Sequence, residues 1–317
     1  MIDIQDIRRA QRRLAGHVHR TPVLGSRTLS DRIGATAHLK VEAFQRTGSF
    51  KVRGVLNRLA QLSPDERERG LVTVSAGNHA QAVAYGAARE GVRAVVVMPE
   101  HASPAKVDAC REYGAEVVLH GDVFAAFGRM EELRVEHGYT LVHPFDDIHV
   151  IAGQGTVGAE LCEDLPDVDV VVVPVGGGGL LSGVATAVRA QRPRARIIGV
   201  EPTGAPAVRR ALDAGEPVRL ERVDTIADGL GAPMTGPNVL EHVRALVDDV
   251  VAVGDDSIAD GLRFLLERCK LLVEPAGAAA VAALMDGTVQ VPPRARVAAI
   301  LSGGNIDLPR LRTLLPS

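Results

Sequence analysis

Val170-Val171-Val172-Val173-Pro174-Val175-Gly176-Gly177-Gly178-Gly179-Leu180 is a charge-free apolar run that stops on four consecutive glycines. A short continuous apolar run bounded by a turn signal reads as a strand buried on both faces, and such strands belong to parallel sheets covered by helices. A membrane span over 170–188 is the alternative, but glycines, a proline, a serine and a threonine interrupt it. Strand, turn and helix explain the run better. Four residues without side chains let backbone N–H groups close on an anion at the start of a helix, whose dipole adds to the attraction. A plain strand-to-helix turn needs only one or two glycines.

The same alternation extends outward. Strands are predicted at 71–75, 94–98, 116–119, 169–175, 196–200, 250–253 and 297–301. Helical patterns follow at 80–89, 104–113, 123–137, 180–191, 206–214, 257–268 and 276–285. This is an α/β fold with open parallel sheets, which bind ligands outside the carboxyl ends of their strands. Polar breaks at 63–70 and 143–147 set off a small inserted α/β domain at 70–146 from a larger domain built of 1–69 and 147–317.

Bulk composition narrows the function. The 317 residues are 46% hydrophobic with a formal charge of −3, which does not suggest nucleic acid or an anionic membrane as partner,. Aromatic residues are 3% with no tryptophan, so platforms for stacking bases are not expected,. Arg8, Arg9, Arg12 and Arg13 fit the solvated face of a helix that buries Ile4, Ile7 and Leu14,. Cys110, Cys162 and Cys269 form no C-x-x-C and read as structural thiols in a reducing compartment,. The basic N-terminal residues precede no apolar core, so a cytoplasmic location is expected. The sequence stops soon after Leu315, so a C-terminal regulatory domain is not expected.

Lys51, in Gly48-Ser49-Phe50-Lys51-Val52-Arg53-Gly54, opens an apolar-periodic run behind a short apolar stretch. A lysine there is ordinarily a solvated first-turn residue, and the helix dipole disfavours a cation at that end. Desolvation and positive potential also lower an ammonium pKa and make a Schiff-base nucleophile. Ser302-Gly303-Gly304-Asn305 follows the strand-like 297–301 and sets a small polar group at a strand end. Ser75-Ala76-Gly77-Asn78-His79 joins a strand to an alanine-rich helix, where exposed amides suit a carboxylate. Plain N-capping by Ser75 or Asn78 is the other reading. A carbonyl-reactive lysine, a phosphate cradle and a polar group at a strand end are the parts needed to hold pyridoxal phosphate.

Three other patterns are weaker. Gly153-x-Gly155-x-x-Gly158 matches the dinucleotide fingerprint but lacks a preceding strand and a following acidic residue, so close helix packing explains it better,. His143, Asp146, Asp147 and His149 share one polar loop without zinc-type spacing and read as structural,. Gly179-Leu180-Leu181-Ser182-Gly183 has the wrong spacing for a nucleophile elbow,.

Taken together, 49–51, 75–81, 176–180, Thr225-Ile226-Ala227-Asp228-Gly229 and 302–305 resemble the threonine dehydratase/serine racemase group. That group belongs to the fold type II (tryptophan synthase β-like) pyridoxal-phosphate enzymes, and the likeness is to its short members without a regulatory domain. The resemblance implies two open parallel-sheet domains with the cofactor in the cleft between them, and a homodimer. It makes Lys51 the Schiff-base lysine and the base acting on Cα. Phe50 packs on the pyridine ring, Asn78 meets the ring hydroxyl, and Ser302 meets the ring nitrogen. Gly176, Gly177, Gly178, Gly179 and Leu180 take the phosphate, and Glu274 lies beside the cofactor. Ser75, Ala76, Gly77, Asn78 and His79 form the substrate-carboxylate loop.

The activity implied is β-elimination from L-threonine or L-serine to a 2-oxo acid and ammonia. Serine racemase, a 3-hydroxyaspartate-type dehydratase and a non-catalytic cofactor carrier are the alternatives. Racemases of the group place a serine hydroxyl where this chain has Ala76. The group often binds Mg²⁺ or Ca²⁺, for which Glu201 and Ala205 match two ligand positions. The second carboxylate position is Ala207, with Asp213 a remote substitute, so no metal is expected.

Overall fold

The computed structural model describes residues 1–315. The chain begins with α1 (Ile4–Leu14), β1 (Val23–Gly25), α2 (Arg27–Ile33) and β2 (Thr36–Val41). Next, α3 (Lys51–Leu59) and α4 (Pro64–Arg69) lead into β3 (Leu71–Val74), α5 (Asn78–Glu90) and β4 (Ala94–Met98). The chain continues with α6 (Pro104–Glu112), β5 (Glu116–Leu119), α7 (Val123–His137) and β6 (Thr140–Leu141). It returns through α8 (Ile148–Asp164), β7 (Val170–Pro174), α9 (Gly179–Gln191), β8 (Arg196–Pro202), α10 (Ala207–Ala214) and α11 (Pro237–Leu246). It ends on β9 (Asp249–Val253), α12 (Asp255–Phe264), α13 (Pro275–Met285), β10 (Arg296–Leu301) and α14 (Leu308–Leu314).

The strands form two sheets. One has the order β5-β4-β3-β6 and is parallel throughout. The other runs β1-β2-β10-β7-β8-β9, parallel except for the antiparallel edge pair β1–β2. Three-residue β1 is too short to show a period, and the sequence did not predict it.

Side-chain alternation in β7 explains its unbroken apolar run. Val170 and Val172 point into the core shared with α12 and α13, while Val171 and Val173 point into the core shared with α8 and α9. Each fully buried valine contributes about 1.5–3 kcal/mol, so a polar residue is disfavoured at either parity. Strand β10 divides likewise, Val297, Ala299 and Leu301 against Ala298 and Ile300. Under the four-stranded sheet, Leu71 and Val96 share a core with Val52, Val55, Leu56 and Leu59 of α3.

The Gly153, Gly155 and Gly158 series lies inside α8 and serves helix packing. A Cβ at Gly153 would stand 2.5 Å from Arg53 O, one at Gly155 would meet Ile7 at 2.6 Å, and one at Gly158 would meet Val184 O at 2.9 Å. The helix expected at 257–268 forms as α12 up to Phe264 and closes on a π-helical turn at Leu265–Cys269, ending on Lys270 with φ 61°.

Candidate active site

Strands β10 and β7 are parallel neighbours, so Ser302 and the glycine turn leave adjacent strand ends. The segment before α3 lies along the 302–304 turn: Phe50 N donates to Ser302 O (3.1 Å), and Gly304 N donates to Gly48 O (2.9 Å). This pairing delivers Lys51, the first residue of α3, to the strand ends.

Lys51 is partly buried, and its Nζ donates to Pro144 O at 2.8 Å and lies 5.3 Å from the Phe50 ring centre. Burial pulls its pKa down to about 8, with the Glu274 carboxylate opposing,. Ser302 is buried with its Oγ 3.3 Å from Ala276 O.

The glycine turn is shaped by its neighbours. Gly178 has φ 94° and starts α9 without a side-chain cap, so the first amides of α9 have no helical acceptor,. A Cβ at Gly177 would fall 2.2 Å from the Phe145 ring, one at Gly179 2.7 Å from Phe145 O, and one at Gly176 3.1 Å from Leu230 Cα. Leu180 buries its side chain in the core, so it offers its backbone N–H.

Across the cleft, Ser75 Oγ accepts from Gly77 N at 3.1 Å, shaping the turn from β3 into α5. Asn78 Nδ2 donates to Glu274 Oε1, and Asn78 Oδ1 accepts from Asn305 Nδ2 at 2.8 Å. Gly303 sits among them, where a Cβ would be 2.4 Å from Glu274 Oε1. Burial raises the Glu274 carboxyl to about 7, against the pull of Lys106, the Asn78 bond and Lys51. His79 points away from this loop: its Nε2 donates to Val142 O at 2.9 Å, and burial with Lys51 nearby lowers its pKa to about 3. What His79 can offer a carboxylate is therefore its backbone.

The His143–Asp147 loop has a larger part than its sequence suggested. His143 Nδ1 accepts from Phe145 N (3.2 Å) and Asp146 N (2.8 Å). Asp146 caps α11 through Val239 N (2.9 Å), and Asp147 caps α8 through His149 N (2.7 Å) and Val150 N (3.0 Å). These are structural bonds, yet the same loop gives Pro144 O to Lys51 and the Phe145 ring to the glycine turn.

Sequence reasoning missed a buried ion cluster behind Lys51. Arg53, two residues on, pairs with Glu42 through Nε (2.8 Å) and Nη2 (2.9 Å) and with Glu160 through Nη1 (2.6 Å) and Nη2 (2.9 Å). Lys40 adds a 2.7 Å bond to Glu160. The available signal was charge placed within apolar runs, at Lys40 in β2 and Arg53 in α3.

Glu201, near the end of β8, and Ala205, just after it, lie apart from these groups. Glu201 caps α10, accepting from Val208 N (2.7 Å) and Arg209 N (2.9 Å), and Ala205 O accepts from Ala207 N (3.0 Å). Burial pushes the Glu201 carboxyl up to about 7 against those amides. Asp213 pairs with Arg209. With these oxygens engaged, chelation should leave the rate unchanged; a loss on chelation that Mg²⁺ restores would contradict this.

An amine that gives up its proton near pH 8 is suited to condense with an aldehyde, and uncapped amides one strand away are suited to a phosphate. Pyridoxal phosphate carries both groups. The residues fit it: the four glycines bring no side chain of their own to the turn, and Ser49 Oγ is buried with no hydrogen-bond partner among the described residues. The architecture is that of the fold type II enzymes that use this cofactor.

The chain belongs to the pyridoxal-phosphate dependent enzyme family, which it matches over residues 14–303, and its cofactor is pyridoxal 5'-phosphate. It is 46% identical over 309 residues to an L-threonine ammonia-lyase of Thermotoga maritima, covering 97% of this chain and 77% of that protein. The solved processed form of threonine deaminase isoform 2 from Solanum lycopersicum superposes with a TM-score of 0.90 at 36% identity, covering 99% of this chain and 93% of that one. Maize serine racemase superposes with a TM-score of 0.92 at 39% identity, covering 98% and 96%.

Proposed function

We propose that this chain is a pyridoxal-phosphate-dependent ammonia-lyase that converts L-threonine or L-serine to a 2-oxo acid and ammonia. When bound, the cofactor supplies an aldehyde and an electron-withdrawing ring that acidifies the Cα proton. Lys51 would hold the aldehyde carbon, and its amine, freed when substrate binds, would take the Cα proton. Gly176, Gly177, Gly178, Gly179 and the Leu180 amide hold the phosphate, and Phe50 packs on the ring. Asn78, fixed by Glu274 and Asn305, donates to the ring hydroxyl. Ser75 and the amides from Ala76 to His79 orient the substrate carboxylate.

Ser302 favours elimination over a lasting carbanion. A neutral hydroxyl at the ring nitrogen does not keep that nitrogen protonated, which disfavours a long-lived carbanion at Cα. Loss of the β-hydroxyl together with the Cα proton avoids it. The water lost in elimination is regained when the enamine hydrolyses, so the net products are the 2-oxo acid and ammonia.

Ala76 carries the choice over the racemase reading, which the maize likeness keeps open. A racemase needs a proton donor on the face opposite Lys51, and a methyl group cannot transfer a proton. Ala76→Ser is expected to raise conversion of L-serine to D-serine, or turnover of D-serine, above wild type, as read by chiral chromatography. Wild-type protein that makes D-serine from L-serine as fast as it makes pyruvate would overturn the assignment.

A homodimer in the cytoplasm goes with this reading. Among the described residues all three cysteines are free, and no helix is long and apolar enough to cross a membrane. Burial raises the thiols of Cys110 and Cys162 to about 12 and 11, so neither is a nucleophile,.

A further inference from the structure

Lysine is scarce here: only Lys40, Lys51, Lys106 and Lys270 occur among 36 basic residues. Lys40 is held in the buried ion cluster, Lys51 is the site amine, and Lys270 donates to Glu267 O at the π-helical turn. Lys106 remains. It stands in the first turn of α6, beside the four-stranded sheet, and reaches across the cleft to Asp228 at 3.6 Å. Its side chain is 19% exposed while that of Asp228 is 63% exposed, so the cation is enclosed and its partner is wet. A plain surface pair would leave both ends in water.

Glu274 is the buried group nearby. A Cβ at Gly229, next to Asp228, would lie 3.7 Å from Glu274 Oε1, the oxygen that accepts from Asn78. Among the described residues Glu274 makes no ion pair within 4 Å, although it is only 6% exposed. The charges around it are Lys106 from α6, Lys51 from α3 and Asp228 from the Asp228–Leu230 turn. Asn78 of α5, with Gly303 and Asn305 after β10, contributes no charge.

We propose that Lys106 is a positioning residue that sets the charge of Glu274 from across the cleft, with Asp228 opposing it, and that this pair places the acid limb of the enzyme's pH profile. Burial is the largest influence on the carboxyl and raises its pKa. Lys106 pulls hardest back toward the ionised form, and Asp228 pushes the other way. Ionised, Glu274 holds the Asn78 amide and supports the proton affinity of Lys51. Protonated, it loses its charge-assisted hold on Asn78 and its effect on Lys51. A charge on α6 thus reaches the site lysine through one carboxyl.

The test follows the carboxyl directly, by ¹³C NMR of the cofactor-loaded protein labelled at glutamate, with Glu274→Gln identifying the resonance. Lys106→Met should raise the Glu274 midpoint, and Asp228→Asn should lower it, each by roughly half a pH unit or more. Lys106→Arg should stay near wild type. A merely structural latch would move both variants the same way, because either substitution breaks it. Shifts of one sign, or none, overturn the proposal. Asp228 is exposed, so its variant decides the matter alone if Lys106→Met does not fold. The kinetic arm rests on the proposed reaction: the acid limb of kcat/KM for L-threonine should track the NMR midpoints. Midpoints that move while the limb stays fixed overturn the claim on the pH profile. Opposed shifts in a protein that deaminates nothing would sink the reaction and leave the electrostatic pair standing.

Discussion

Lys51→Ala is expected to abolish deamination, lowering kcat by about a thousandfold or more, and to remove the visible absorbance of the covalently held cofactor. No other lysine can substitute. Lys40 is locked to Glu160, Lys106 is paired with Asp228, and Lys270 lies at the π-helical turn. Folding should be unharmed, because Lys51 belongs to none of the apolar cores. The sign of the pH effect follows from the depressed pKa. Between about 8, folded, and the ordinary 10.5, the unfolded chain holds more protons on Lys51 than the folded one. Stability of the cofactor-free protein from this group therefore rises with pH through that window. Thermal melts from pH 7 to 10 should show the rise in wild type and lack it in Lys51→Ala. Substantial steady-state turnover by the variant would remove the catalytic assignment.

Arg53→Met is expected to be the most destabilising single change near the site. It leaves Glu42 and Glu160 buried, with one cation, Lys40, left near Glu160. Removing one partner of a buried pair costs about 3–5 kcal/mol, a large part of the stability of an ordinary domain. Denaturant midpoints should fall accordingly. Adding Glu42→Gln should restore part of the loss, since it removes the stranded charge. A denaturation midpoint for Arg53→Met equal to wild type would show that the cluster contributes nothing.

What could be read from the sequence was local. The valine run of β7 announced a strand buried on both faces because each parity of side chain meets its own core. Lys51, the glycine turn, Asn78 and Ser302 each sit where a strand or loop gives way to a helix or turn, so short motifs carried them. The rest depends on partners distant in the chain. Arg53 meets Glu160, 107 residues away, and Lys51 meets Pro144, 93 away. A charged residue looks solvated in sequence until its partner arrives, which is why Lys40 and Arg53 gave no clear signal. The 143–147 loop read as structural for the same reason, since its bonds are local and its contact with Lys51 is not. Short β1 escaped because three residues on an edge set no period.

The central claim is that the chain eliminates the β-substituent of a hydroxyamino acid. The most direct measurement incubates the purified, cofactor-loaded protein with L-threonine and L-serine, following 2-oxo acid, ammonia and substrate chirality in the same samples. The account predicts 2-oxo acid and ammonia in equal amounts, with the remaining substrate still L. Accumulation of the D-enantiomer without ammonia, or a cofactor spectrum that neither substrate perturbs, would contradict it.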